Sequence, residues 1–220
     1  MRVGPGEPSG TTRVRHAAPQ LSSGGCPFLT EFKQLLPEEY AAIIPPLLLR
    51  AVDEPETANG FDTIFLQKMQ AFQAENIPAM AGAETAVLTD FAGKQRDVVQ
   101  TPRLCEAMLG DTPKPLDPTD TAGRKIVVAR DVALLRAVAS GRQHAIKREG
   151  PTDEQDIAFS ARLEPKLTPA QVTALSDGSA ATMPARDRCP IVAAYWGTIA
   201  DLPAEESALW TAFLLASEAS

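Results

Sequence analysis

Apolar residues recur every three to four positions along most of this chain, and that spacing constrains its fold more than any other feature. Phe61, Ile64, Phe65, Leu66, Met69 and Phe72 form the clearest stripe. Residues so spaced share one face of an α-helix. Phe28, Leu29, Phe32, Leu35 and Leu36 repeat the pattern upstream. Ile191, Val192, Tyr195, Trp196 and Ile199 repeat it downstream, as do Leu209, Trp210, Phe213 and Leu214. No pair of alternating segments flanks a hairpin turn. The chain therefore reads as all-α, an irregular bundle of about seven to nine helices.

Local start and stop signals divide the bundle. Pro37-Glu38-Glu39 opens a helix, with proline at its first position and acids near the positive end of the dipole. Pro45 and Pro46 then predict a kink or a break. Asn59 is the expected cap of the stripe helix, and Asn76-Ile77-Pro78 its expected end. A helix of mixed quality follows over 79–100, interrupted by Gly82 and Gly93, and a short one runs from Thr101-Pro102 to Leu109. Asp117-Pro118 is the expected start of a helix over 118–140, apolar nearly all round and so buried. Its β-branched centre leaves an α+β alternative open, with a strand near 125–131. Thr152-x-x-Gln155 and Thr168-x-x-Gln171 match the capping box. Asp201-Leu202-Pro203 joins the last two helices tightly and predicts a C-terminal antiparallel helical hairpin.

The 220 residues suffice for one packed core without disulfides or metal. Residues 1–25 read as a flexible N-terminal tail lacking the apolar segment of a secretory signal. Residues 26–220 read as one helical domain. The turn-rich segment 110–118 is the best internal boundary should there be two lobes.

Charge narrows the partners. The chain carries 21 basic and 28 acidic residues, a formal net charge of −7. The tail holds Arg2, Arg13 and Arg15 against Glu7, so the body is more acidic still. An acidic body repels phosphate backbones, and nucleic acid is not expected as a partner. The longest apolar run, Ala41 to Leu49, is nine residues interrupted by prolines, far short of a membrane span.

Three cysteines, Cys26, Cys105 and Cys189, are widely spaced and form no CxxC motif. Two readings follow. Scattered reduced thiols fit a reducing compartment and a cytoplasmic protein by default. A single Cys105–Cys189 disulfide fits a periplasmic or secreted one. With only two histidines, no metal site is expected, and no motif implies a cofactor.

Chemistry-bearing motifs are otherwise absent. The chain has no GxxxxGK[ST], GxGxxG, GxSxG or HExxH sequence. His144, the one histidine in the body, is a candidate general base. Cys189, beside Arg186 and Arg188, is a candidate activated thiol. Seven basic residues against one acid crowd 124–148, making Arg124, Lys125, Arg130, Arg136 and Arg142 candidates for an anion or an acidic partner. The acid pairs Glu38-Glu39, Asp53-Glu54 and Glu205-Glu206 fit helix ends better than catalytic dyads. Tyr195, Trp196, Trp210 and Phe213 would close a core or line a pocket. The leading functional expectation is a soluble helical protein that acts by binding, to a protein or a small anion. The alternatives are an enzyme using His144 or Cys189, and an exported helical protein held by one disulfide.

Overall fold

A computed structural model describes residues 27–53, 58–110 and 119–218, without the side chains of residues 50–53, 58–63, 66 and 218. The tail 1–25, Cys26 and most of the 110–118 boundary lie outside these residues. The described residues form ten α-helices and no strand: α1 (Pro27–Leu35), α2 (Pro37–Asp53), α3 (Ala58–Ala81), α4 (Thr85–Val99), α5 (Pro102–Leu109), α6 (Thr121–Gln143), α7 (Asp153–Leu163), α8 (Pro169–Ser176), α9 (Ala185–Ala200) and α10 (Ala204–Glu218). The all-α expectation holds, and the count exceeds the seven to nine expected. The proposed strand near 125–131 lies inside α6.

Prolines proved poorer breakers than the sequence suggests. Helix α2 runs unbroken through Pro45 and Pro46. Both prolines are exposed, as are Ala41 and Ala42 one turn earlier. The carbonyls that lose their donors therefore sit on the wet side of the helix, where water replaces the lost bond. The opposite face buries Ile44 and Leu47. Pro78 likewise falls within α3, which continues to Ala81. The real break is at Gly82, whose N–H donates to the carbonyls of Pro78 (3.2 Å) and Ala79 (3.1 Å). The expected 79–100 helix is thereby split. The stripe helix already includes Ala58, so Asn59 lies inside it rather than capping it.

Helix α6 starts later than expected. Its cap is Asp120, whose carboxylate accepts from the Gly123 N–H at 2.9 Å and pairs with Arg103 at 2.8 Å. Asp117 and Pro118 are outside the described residues. Both capping boxes are formed, Thr152 with Gln155 and Thr168 with Gln171.

Helices α4 and α6 are the axis of the fold. Helix α6 packs on α1, α3 and α4, and α4 packs in turn on α5, α9 and α10. Ala133, Leu134, Leu135, Ala137 and Val138 of α6 meet Leu88, Phe91 and Val99 of α4 in the main core cluster. That cluster draws on helices from both sides of 110–118. The C-terminal helices α9 and α10 are joined by three residues as expected, but each packs more extensively on α4 than on its sequence neighbour. The pair clasps α4 instead of closing on itself.

Candidate functional site

The clasp leaves a gap. Between α3, α4, α5, α6 and the α8–α9 region lies a cleft of about 610 Å³. Ligand sites commonly fall between roughly 300 and 1,000 Å³. A second concavity, of about 190 Å³, lies beside the stacked pair Phe159 and Trp210 and is small by that measure.

The cleft wall is mostly apolar. Phe91 of α4 meets Trp196 of α9 edge to face, centroids 6.0 Å apart. Ile77 of α3, Ile191 of α9 and Leu215 of α10 extend this surface. These residues reach the cleft for the same reason they form the core. Each lies on the apolar stripe of its helix and is buried at the floor of the cleft, whereas Met108, Leu109, Val192 and Leu214 on the same lining are only half-buried.

Polar groups interrupt this surface. Gln95 is buried on α4, in register with Phe91, Ala92, Val98 and Val99. Its Oε1 accepts from Arg130 Nε at 3.0 Å, and its Nε2 lies 3.5 Å from Met108 Sδ. Arg130 also donates from Nη1 to Asp131 (2.6 Å) and from Nη2 to Gln73 (3.5 Å). Burial raises the Asp131 carboxyl above its ordinary value, opposed by the charge and hydrogen bond of Arg130. Arg188 donates to two backbone carbonyls, Ala181 at 2.9 Å and Leu109 at 2.5 Å, and its Nε is enclosed without a partner. Tyr195 also lines the cleft. Burial, with a contribution from Asp156, pushes its phenol above 10, so it stays a neutral hydroxyl at physiological pH.

The sequence-derived candidates are dispersed. Of the basic segment, only Arg130 lines the cleft. Arg124 and Lys125 are exposed at the start of α6. Arg136 pairs with Glu31 at 2.7 Å. Arg142 pairs with Glu39 and donates to Asn76 Oδ1 at 2.7 Å. His144 is exposed just beyond α6, its backbone N–H returning to the Ser140 carbonyl. Cys189 is buried and joined to Cys105 by a disulfide, Cα–Cα 5.8 Å. For these two residues the reading as scattered reduced thiols gives way to the pairing. Neither His144 nor Cys189 is among the residues lining the cleft.

Among the acid pairs, Glu39 is held by Arg142, and Glu205 accepts from the Thr85 hydroxyl at 3.2 Å. Glu54 lies outside the described residues. Tyr195 and Trp196 do line the cleft, whereas Trp210 stacks on Phe159 and touches Phe213 edge to face. Among the described residues, no group of three or more His, Cys, Asp or Glu is placed to hold a metal ion. No helix there is long and apolar enough to cross a membrane.

Sequence reasoning missed Gln73, Gln95 and Met108, and named Arg188 only as a neighbour of Cys189. Gln95 did leave a signal, a polar residue at a core position of an otherwise apolar stripe. Arg188 left none, because what distinguishes it is the carbonyls it meets in space. Comparison of the chain with family models, with curated proteins and with solved structures gives no match.

Proposed function

We propose that this protein is a binding protein whose cleft takes a small, largely apolar molecule. The observation that carries this reading is the cleft itself, a ligand-sized space with Phe91, Trp196 and Ile191 on its wall. The apolar surface that half-buried Met108, Leu109, Val192 and Leu214 leave open there gains by being covered, at about 25 cal/mol per Å². A few convergent polar groups on an apolar wall are the ordinary anatomy of a small-molecule site.

The enzyme alternative draws less support, since His144 and Cys189 do not line the cleft. A protein partner also draws less. The described residues expose four large apolar side chains, Leu49, Ile146, Ile157 and Phe213, and some exposure of this kind is normal for any protein. Because both sides of the 110–118 boundary contribute to the cleft, we read residues 26–220 as a single helical domain. The Cys105–Cys189 bond supports the exported alternative over the cytoplasmic one, since such bonds persist mainly in oxidising compartments.

The test is titration with the neutral dye N-phenyl-1-naphthylamine. Saturable binding of one dye per chain is expected. It should be lost in Ala181→Trp, which places a large ring at an exposed residue of the cleft wall. Dye uptake that never saturates, or that Ala181→Trp leaves unchanged, overturns the reading.

A further inference from the structure

We propose that the ligand of this cleft carries one anionic head, of carboxylate type, seated between Arg130 and Arg188 with its apolar body against the half-buried lining of Met108, Val192 and Leu214. The inference rests on the cleft reading and names the class of molecule it takes.

Charge asymmetry is the first ground. Among the described residues, those lining the cleft include two arginines and no aspartate or glutamate. The chain as a whole has a net charge of −7. A cationic cleft in an acidic protein focuses anions toward one place and turns them away elsewhere.

The second ground is where the two guanidinium groups end. Arg188 Nη2 donates to the carbonyl of Leu109, and Arg130 Nη2 lies 4.0 Å from the sulfur of Met108. Two cations thus converge on consecutive residues at the C-terminal end of α5. Among the described residues one carboxylate accompanies them, Asp131 at 2.6 Å from Arg130. Among the described residues no ion pair forms at Arg188, whose bonds there go to neutral carbonyls while its Nε has no partner. Counted over the described residues, the site holds one positive charge more than it neutralises. In a partly enclosed, low-dielectric space such an excess is costly, and a single bound anion relieves it.

The third ground is geometry. An arginine offers five N–H donors in a flat fork matched to the two oxygens of a carboxylate. Arg188 spends two of its five on carbonyls. The apolar wall leaves room for little polarity beyond that head, so the remaining body is hydrocarbon or aromatic.

The experiment is displacement of bound N-phenyl-1-naphthylamine at neutral pH and low salt by three probes of equal length, octanoate, 1-octanol and octylamine. Octanoate is expected to displace the dye at about one-tenth the concentration of 1-octanol or less, the scale of a charge-assisted hydrogen bond. Octylamine should be the weakest of the three. Added salt should erode the advantage of octanoate and leave 1-octanol unaffected. Arg188→Gln should bring octanoate and 1-octanol together, and Arg188→Lys, which keeps the charge, should retain part of the gap. Equal displacement by octanoate and 1-octanol in the unmodified protein overturns the anionic head while the apolar cleft stands. Failure of the dye itself to bind saturably overturns the cleft reading beneath it. The unmodified protein alone decides the matter, so the conclusion survives even if a variant does not fold.

Discussion

Cys105 of α5 and Cys189 of α9 are joined by a disulfide that spans 84 residues of sequence, and the two helices it ties together are neighbours on the cleft. Helix α5 contributes Met108 and Leu109, one turn beyond Cys105. Helix α9 contributes Arg188, adjacent to Cys189, and then Ile191 and Trp196. The bond therefore fixes the spacing of the walls as well as constraining the unfolded chain.

Reduction should act on both. Closing a loop of this length is worth about 4–5 kcal/mol in the chain-entropy model. Urea unfolding with and without reductant should show a loss of that order. The double variant Cys105→Ala, Cys189→Ala should match the reduced protein. Dye affinity measured below the unfolding range should fall as well, since α5 and α9 are then free to separate. Unchanged stability on reduction would count against the bond as a structural element.

Gly141 makes a steric prediction. Helices α3 and α6 approach so closely here that a Cβ at Gly141 would collide with the backbone carbonyl of Ala79. A backbone group cannot swing aside as a side-chain tip does. Gly141→Ala should cost roughly 3 kcal/mol, the upper end of overpacking effects. Gly93, in the middle of α4, has nothing within 4 Å of the same position. Gly93→Ala should instead stabilise, by about 0.5–1 kcal/mol, through helix propensity. Thermal unfolding of the two variants, moving in opposite directions, checks the pair.

Glu39 gives a pH dependence. Burial pushes its carboxyl up, but the hydrogen bond from Arg142, a backbone hydrogen bond and the charge of Arg142 together outweigh this and hold it below its ordinary 4.5. A carboxylate lowered on folding contributes stability that is in place above its unfolded value and is lost as pH falls through the folded one. The unmodified protein should lose stability on acidification below about pH 4.5 more steeply than Glu39→Gln. Urea midpoints across that range, compared between the two, are the check. Parallel curves would show that the Glu39–Arg142 pair is energetically silent.

Helix type was legible in this sequence because it depends on local spacing. Both capping boxes, the proline start at Pro37 and the tight joint at Asp201–Pro203 are local signals, and each appears in the structure. Helix ends were less legible. Pro45, Pro46 and Pro78 all sit inside helices, because whether a proline breaks a helix depends on whether water can reach the freed carbonyl. That is a property of the packed molecule. The site was barely legible. Its lining joins buried core residues such as Phe91 and Ile191 to half-buried ones such as Met108 and Leu214, and a concavity of that kind comes from the packing of whole helices. The 124–148 cluster pointed to five cations, of which Arg130 alone reaches the cleft. The others are exposed or pair with Glu31 and Glu39, residues more than a hundred positions away in sequence.

Methionine methyl resonances test the cleft most directly. Met108 lines it, whereas Met80 is fully buried in the main core and does not. The protein would be labelled at its methionine methyl groups and titrated with N-phenyl-1-naphthylamine. A saturable shift at Met108 with Met80 unmoved is the expected result. No shift at Met108 while the dye binds elsewhere would contradict a ligand site between α5 and α9.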